Sequence, residues 1–332
     1  MGPYSIGQVL GKGAFGKVKV AVHRPTDEAV AMKLCERRRI SENQAKKCLS
    51  LEVGMLTRLC GHTNIVQLFE VIDTSTHVVL VMELGRGGDL LRYVRARRLL
   101  TEECTRDFFK QLVDAIHHMH RRFVVHRDIK LENILLDEHG CVKLADFGVA
   151  TTFRPGRRLV DQCGTPSYIA PEILLEQGYE GPPVDIWSAG VVLYAMLCGR
   201  VPFKGSEFVD LKRAIIFGRF SVPSRVSDRA AEVLQAILIP DPAARASAEG
   251  VLESGFLEGI PNRAEEIKAA CNTAEEDVCR RLQAAAAATG FAASVIEESL
   301  AHGRLNQGTT AYYLLEKQEI RRRASELALP AA

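Results

Sequence analysis

The chain has 332 residues, of which 47% are apolar and 25% charged, and a formal net charge of +2 at neutral pH. Its length suggests about two domains with room for a large core, and its composition excludes disordered and fibrous classes. A charge so near balance argues against a whole-surface nucleic-acid or membrane partner, so any recognition by charge has to be local.

From Tyr4 to about Glu83, short runs alternate apolar and polar positions, as in 18–22, 29–33 and 78–82, and predict strands of an antiparallel sheet. One helix is expected among them over 45–59, with Leu49, Glu52, Val53, Leu56 and Leu59 at helical spacing. After the glycine-rich segment 85–88 the pattern becomes mainly helical, most clearly over 104–120 and 185–198. Residues 258–272, with Gly259, Pro261 and several charges, read as a linker. Beyond it, an alanine-rich helix over 275–289, a turn at Gly290-Phe291, and helices over 293–300 and 309–323 are expected. They would make a three-helix unit of roughly 45 residues, near the lower size limit for independent stability.

Nine cysteines stand singly with no C-x-x-C pair, as expected of reduced thiols. No signal pattern opens the chain, and no apolar run is expected to approach the roughly 18 residues that span a bilayer. A cytoplasmic location follows as the expectation, with the nucleus as a second option. Met1-Gly2 opens like an acylation motif, but Ile6 stands where that motif requires Ser or Thr.

Gly11, Gly13 and Gly16 lie in LGKGAFGKV between two strand-like runs, where backbone N–H groups can approach phosphate oxygens closely. Alone, the segment could equally be an ordinary hairpin turn. Lys33 follows at the end of AVAMK, where a cation reaches the α- and β-phosphates of ATP, and Glu52 on the next helix can hold it in place. The most specific segment is HRDIKLENILL. In it Asp128 is placed to accept the proton of a substrate hydroxyl, Lys130 to neutralise charge on a transferring phosphoryl group, and Asn133 to bind Mg²⁺. Thirteen residues past Asn133, Asp146 opens a DFG sequence and supplies a second hard oxygen ligand for Mg²⁺, with Phe147 packing beneath it.

These motifs, in this order, resemble those of eukaryotic protein kinases over about residues 4–257. Ala170-Pro171-Glu172, Asp185 in DIWSAG, and Arg245 agree with the resemblance. It implies an α+β fold with a strand-rich N-lobe (about 4–84), a helical C-lobe (about 85–257) and ATP bound between them. It also implies nucleotide contacts from Leu10, Val18, Ala31, Met82, Glu83, Gly85 and Asp89, beside the residues already named. Lys130 and Thr165 in CGTPSYIAPE match the serine/threonine branch, while Tyr168 reads as packing. Asp89 and Glu132 match acidic positions that receive Arg or Lys upstream of the phosphoacceptor in basophilic kinases. Solvated carboxylates, or a ribose contact from Asp89, are the competing readings. The alternative function is a pseudokinase scaffold, which typically lacks one of Lys33, Asp128 or Asp146; a lipid or small-molecule kinase is a weaker rival. Beginning two residues before the first kinase strand, the chain reads as a trimmed piece.

The tail, with Gly290-Phe291, VIEESL, Asn306 and TTAYYLL, resembles the ubiquitin-associated-like domain that follows the catalytic domain in AMP-activated-kinase-related enzymes, including the microtubule-affinity-regulating kinases. That domain maps to 273–318. The resemblance favours regulatory docking on the kinase domain over ubiquitin binding; an unrelated helical extension is the plain alternative. In that group a phosphorylated Thr precedes the loop Cys by two residues, and here the position is Asp161. A carboxylate there could pair with Arg127 and partly replace a phosphate, supplying about one charge where phosphothreonine carries about 1.5 to 2. An exposed loop Asp without that contact is equally open. Arg321, Arg322 and Arg323 form a basic run that could touch acidic partners, with a solvated helix end as the preferred reading.

Overall fold

In a computed structural model of the chain, residues 2–13, 16–40, 43–271 and 275–326 are described. Ala14 and Phe15 of the glycine-rich loop, and Asn272 and Thr273 at the expected linker boundary, lie outside them. The chain divides into two compact units, residues up to 84 together with those from 265 on, and residues 85–264.

The first unit is built on a five-stranded sheet in which β1 (Tyr4–Gly13), β2 (Gly16–His23), β3 (Glu28–Glu36), β4 (Leu68–Asp73) and β5 (His77–Met82) are arranged β1-β2-β3-β5-β4. Every pairing is antiparallel, as the alternating patterns predict. One face buries Ala21, Val30, Met32, Phe69, Val79 and Val81, and Leu314 completes that cluster from 245 residues further along than Phe69. Leu314 belongs to the helix Gln307–Glu326, whose Thr310 hydroxyl donates to the Phe69 carbonyl at 3.0 Å. The same helix joins Glu275–Thr289 and Ala293–Ala301 around a second small cluster of Leu282, Ala285, Ile296, Ala311 and Tyr312. Within the stretch read as a linker, Arg263–Ala270 forms a helix.

The second unit is mainly helical. Glu102–Arg121 is capped by Thr101, whose side chain accepts from Cys104 N, and has Glu102 and Glu103 in its first turn, where the helix dipole favours acids. It packs against Gly181–Cys198, which is buried along nearly its whole length and ends at Gly199, left-handed with φ 67°. That helix is 18 residues long and apolar enough by composition to cross a membrane, contrary to the expectation that no run approaches this length. The sequence places this helix over 185–198, and residues 181–184 extend it; it is 83% buried inside the protein, and Asp185, which interrupts its apolar run, accepts hydrogen bonds at both carboxylate oxygens. A short hairpin of Ile134–Leu136 and Val142–Leu144 connects the segments that carry the HRD and DFG sequences.

Candidate active site

In the first unit, strand register places Lys33 opposite Val18 on one side and Leu80 on the other, while Ala31 stands opposite Met82. Directly opposed residues of antiparallel strands share a face, so Val18, Ala31, Lys33 and Met82 look the same way. Lys33 Nζ donates to Glu52 Oε1 at 2.6 Å, and the two side chains are only 9% and 2% exposed. A buried carboxylate at this distance fixes where the ammonium points. Gly16 closes the β1–β2 hairpin opposite Gly13, and a Cβ there would fall 1.7 Å from the Leu34 carbonyl oxygen, so no other residue fits. At Gly11 a Cβ would meet nothing within 4 Å, so its lack of a side chain is not demanded by packing. Leu10 is exposed on β1.

In the second unit, four side chains form one closed network. Asp128 accepts from the Thr165 hydroxyl at 2.7 Å through Oδ1, and from Lys130 Nζ at 2.7 Å and Asn133 Nδ2 at 3.2 Å through Oδ2. Lys130 Nζ also donates to Thr165 Oγ1 at 2.7 Å, and Asn133 Nδ2 donates to the Asp128 backbone carbonyl at 2.9 Å. The carboxylate is therefore held at both oxygens by groups from two separate loops.

The backbone beneath this network hangs on Asp185. Its two carboxylate oxygens accept from His126 N and Arg127 N, each at 2.9 Å, and from His120 Nε2 at 3.0 Å. Burial alone pushes the Asp185 pKa up, but the hydrogen bond and charge of His120, together with His126, hold it below the ordinary carboxylate value. These bonds stabilise Arg127 in the left-handed region, φ 66°, which a side-chain-bearing residue adopts only under constraint. His126 then reaches across: Asp128 N donates to its Nδ1 at 3.3 Å and its Nε2 donates to Ala145 O at 3.0 Å. The ring packs on Phe147 with centroids 4.8 Å apart.

Asn133 and Asp146 are brought together by the hairpin, which Ala145 N extends by donating to Asn133 O at 2.9 Å. Since the Asn133 amide nitrogen is engaged with Asp128, its side-chain carbonyl oxygen is the atom left for a cation. A pair of hard oxygen donors suits Mg²⁺, which keeps several waters and takes further ligands from phosphates. Among the described residues no group of three or more His, Cys, Asp or Glu could hold a metal by itself, so the donor set fits a shared cation rather than a protein-enclosed one.

The remaining expected residues divide. Gly85 faces Leu135, whose Cβ would lie 2.7 Å from any Cβ added there. Asp89 caps the helix Leu90–Arg97, accepting from Arg92 N at 2.8 Å and pairing with Arg92 Nε at 3.1 Å. Its carboxylate is thus committed locally, a role the sequence reading missed although Asp before an apolar helical run is an N-cap signal. Glu132 is exposed, and Tyr168 is buried at 7% exposure. Arg127 Nη1 reaches Asp161 Oδ2 at 3.5 Å, with Asp161 77% exposed and Arg127 8%. Arg127 also donates to Val149 O at 2.8 Å and to the Tyr179 hydroxyl at 3.3 Å, while that hydroxyl donates to Asp161 O at 2.8 Å. Tyr179 carried no sequence signal for this role. Burial pushes the Cys163 thiol pKa up, against the pull of Arg127, so it is poorly disposed to ionise. Glu172 and Arg245 form a two-pronged pair at 2.7 and 3.0 Å, and Arg245 stacks over Trp187 at 5.0 Å.

Comparison with known proteins gives a match to the protein kinase domain family over residues 4–257. The chain is 39% identical over 250 residues to "Probable serine/threonine-protein kinase MARK-C" of Dictyostelium discoideum, covering 74% of this chain and 32% of that protein. It is 36% identical over 321 residues to "Serine/threonine protein kinase OSK3" of Oryza sativa subsp. indica, covering 94% of this chain and 61% of the relative. "Serine/threonine protein kinase OSK4" of the same rice matches to the same extent. The chain thus spans from about a third to three fifths of the length of these relatives.

Proposed function

This chain belongs to the protein kinase domain family, and from that membership we propose that it transfers the γ-phosphoryl group of ATP to serine or threonine side chains of proteins. The observation that carries the reading is the network of Asp128, Lys130, Thr165 and Asn133. A carboxylate fixed at both oxygens can receive and orient an incoming hydroxyl without first reorganising. Asp128 aligns that hydroxyl and takes its proton, and Lys130, 2.7 Å away, offsets charge on the oxygens being transferred. Lys33, oriented by Glu52, is the cation for the α- and β-phosphates. Val18, Ala31, Leu10, Met82 at the end of β5 and Glu83 just past it are assigned to the nucleotide base, and Gly11, Gly13 and Gly16 to the phosphates. Asn133 and Asp146 would hold Mg²⁺, which when bound neutralises phosphate charge. Lys33, Asp128 and Asp146 are all present, so the scaffold reading has no missing group to rest on.

The test is Mg²⁺-dependent transfer from radiolabelled ATP to a degenerate peptide library, with Asp128→Asn as control. The expected outcome is label on Ser and Thr, reduced by about 10² to 10⁴-fold in the variant; no transfer by the intact chain overturns the proposal. Upstream basic residues in substrates are favoured through Glu132, which is exposed, rather than Asp89, which is committed to its helix. Replacing upstream Arg by Ala in the preferred peptide should slow transfer.

Regulation belongs to the same proposal. Asp161 partly replaces an activating phosphothreonine by its 3.5 Å approach to Arg127, giving activity without prior phosphorylation. The tail, over 273–318 and its extension, acts by docking on its own sheet rather than by capturing ubiquitin. Leu314 in the sheet's core and Thr310 on the Phe69 carbonyl support that reading. A ubiquitin pull-down with the full chain should retain nothing.

A further inference from the structure

The basic end of the last helix is not a solvated surface. Of its three consecutive arginines, Arg322 turns outward to Glu326, whereas Arg323 meets Asp277 at 2.6 Å and Arg321 meets Glu28 at 2.8 and 3.1 Å. One turn before Arg321, Lys317 Nζ donates to Glu83 Oε1 at 2.5 Å. Thr310, Leu314, Lys317 and Arg321 stand at i, i+4, i+7 and i+11, a single helix face. Along that face the contacts pass from a backbone carbonyl, through an apolar core, to two carboxylates that are 6% and 4% exposed, Glu83 and Glu28.

Those two carboxylates mark one end of the sheet. β3 begins at Glu28 and β5 stops at Met82 opposite Ala31, so both carboxylates belong to the same end of the sheet, with β3 running three residues past β5. The helix therefore straps the edge where β5 gives way to the segment assigned to the nucleotide base. Glu83 is held from both directions. Its Oε1 takes Lys317, its Oε2 accepts from Gln67 N at 3.2 Å, and its own N–H donates to Gln67 O at 2.9 Å. A carboxylate this buried keeps its place because an ammonium offsets the loss of water. Without Lys317 that offset is lost and the balance shifts toward a Glu83 side chain turned to solvent, which releases its Oε2 bond to Gln67 N and loosens the pairing of residue 83 with residue 67.

We propose that Lys317 is a positioning residue for ATP: through Glu83 it fixes the backbone of residues 82–84, so the docked tail sets nucleotide affinity rather than the rate of transfer. This rests on the reading that Met82 and Glu83 lie at the nucleotide base. The coupling is local and asymmetric, since neither Lys317 nor the tail is assigned to the phosphates or to the peptide.

The experiment uses the full chain and four variants, with ATP KM, peptide KM, kcat and thermal midpoint measured on each. Lys317→Met is expected to raise ATP KM by about five- to tenfold, with peptide KM and kcat within about twofold. Lys317→Arg, which keeps the charge, restores ATP KM. Thr310→Val removes the hydrogen bond to Phe69 on the same helix without touching Glu83, and lowers the thermal midpoint while leaving ATP KM in place. Leu10→Ala, at an exposed position assigned to the nucleotide, raises ATP KM independently of the tail. The proposal is overturned when Lys317→Met leaves ATP KM unchanged, or when Thr310→Val raises it as much. If Leu10→Ala raises ATP KM while Lys317→Met does not, the coupling fails and the nucleotide reading stands. If neither raises it, the reading of the nucleotide site fails and takes the coupling with it.

Discussion

Two arginine–carboxylate pairs in the helical unit have the same chemistry and opposite circumstances. Arg245 and Glu172 are 0% and 9% exposed, joined by two bonds, and Arg245 also donates to the carbonyls of Pro183, Ile239 and Pro240. Arg127 and Asp161 meet at a single 3.5 Å contact, and Asp161 is 77% exposed. Buried, the pair is an all-or-none structural clamp: removing one partner strands a charge in a low-dielectric interior. Exposed, it is a contact that water and salt compete with, suited to graded adjustment. Burial rather than residue type decides which ion pair builds the fold and which can tune it.

The sharpest way to break this comparison is Arg245→Met, which leaves Glu172 buried without its partner. It should cost about 3 to 5 kcal/mol and show as a large fall in the thermal midpoint by calorimetry. A fall no larger than that of Asp161→Ala would remove the distinction between the two pairs. Next in size is Leu314→Ala, which opens space between the tail helix and the sheet; about 2 to 5 kcal/mol of destabilisation is expected from denaturant titration. If Leu314 contributed nothing to the sheet's core, the midpoint would not move.

A pH effect of intermediate size comes from His23, fully buried beside Tyr4, with Nδ1 2.8 Å from the Thr26 hydroxyl. Burial lowers its pKa from 6.5 to about 4. The unfolded chain thus takes up a proton near pH 6.5 and the folded one only near pH 4, so stability is full above about 6.5 and declines as pH falls through that window. His23→Gln should flatten that decline relative to the parent, whereas the contribution of Glu70, whose pKa burial raises, stays in both. Parallel pH–stability curves for parent and variant would contradict it.

The smallest stability effect is expected for Asp161→Ala, about 1 kcal/mol or less. Its consequence should lie in activity: the unphosphorylated variant is expected to be several-fold slower than the unphosphorylated parent. Equal rates would leave Asp161 as a surface residue only. Raising the salt concentration should narrow the gap between these two enzymes, because an exposed pair is screened and the buried one is not.

The order of motifs from Gly11 to Arg245 was legible because each depends on local chemistry: a hairpin that admits no side chain at Gly16, a cation on a strand, a carboxylate and an amide five residues apart in one loop. Alternating strands and the longest helices were legible for the same reason, since periodicity of 2 or 3.6 is written along the chain. Thr165 was recognisable as part of a loop, but not as the hydroxyl that bridges Asp128 and Lys130, whose partners lie 37 and 35 positions away. Asp89 carried a cap signal that the nucleotide assignment overshadowed.

By itself, then, the sequence determined the chemical cast of the kinase domain and the helical character of the tail. The pairs Lys33–Glu52 and Arg127–Asp161 were already suggested by their motifs, but the tertiary structure alone decided which charges of the tail are paired. Lys317 and Glu83 are 234 positions apart, and Arg321 and Glu28 are 293 apart. A lysine or arginine on a helix reads as solvated until a neighbouring element removes the water around it, and only the packing of that helix on the sheet supplies that element.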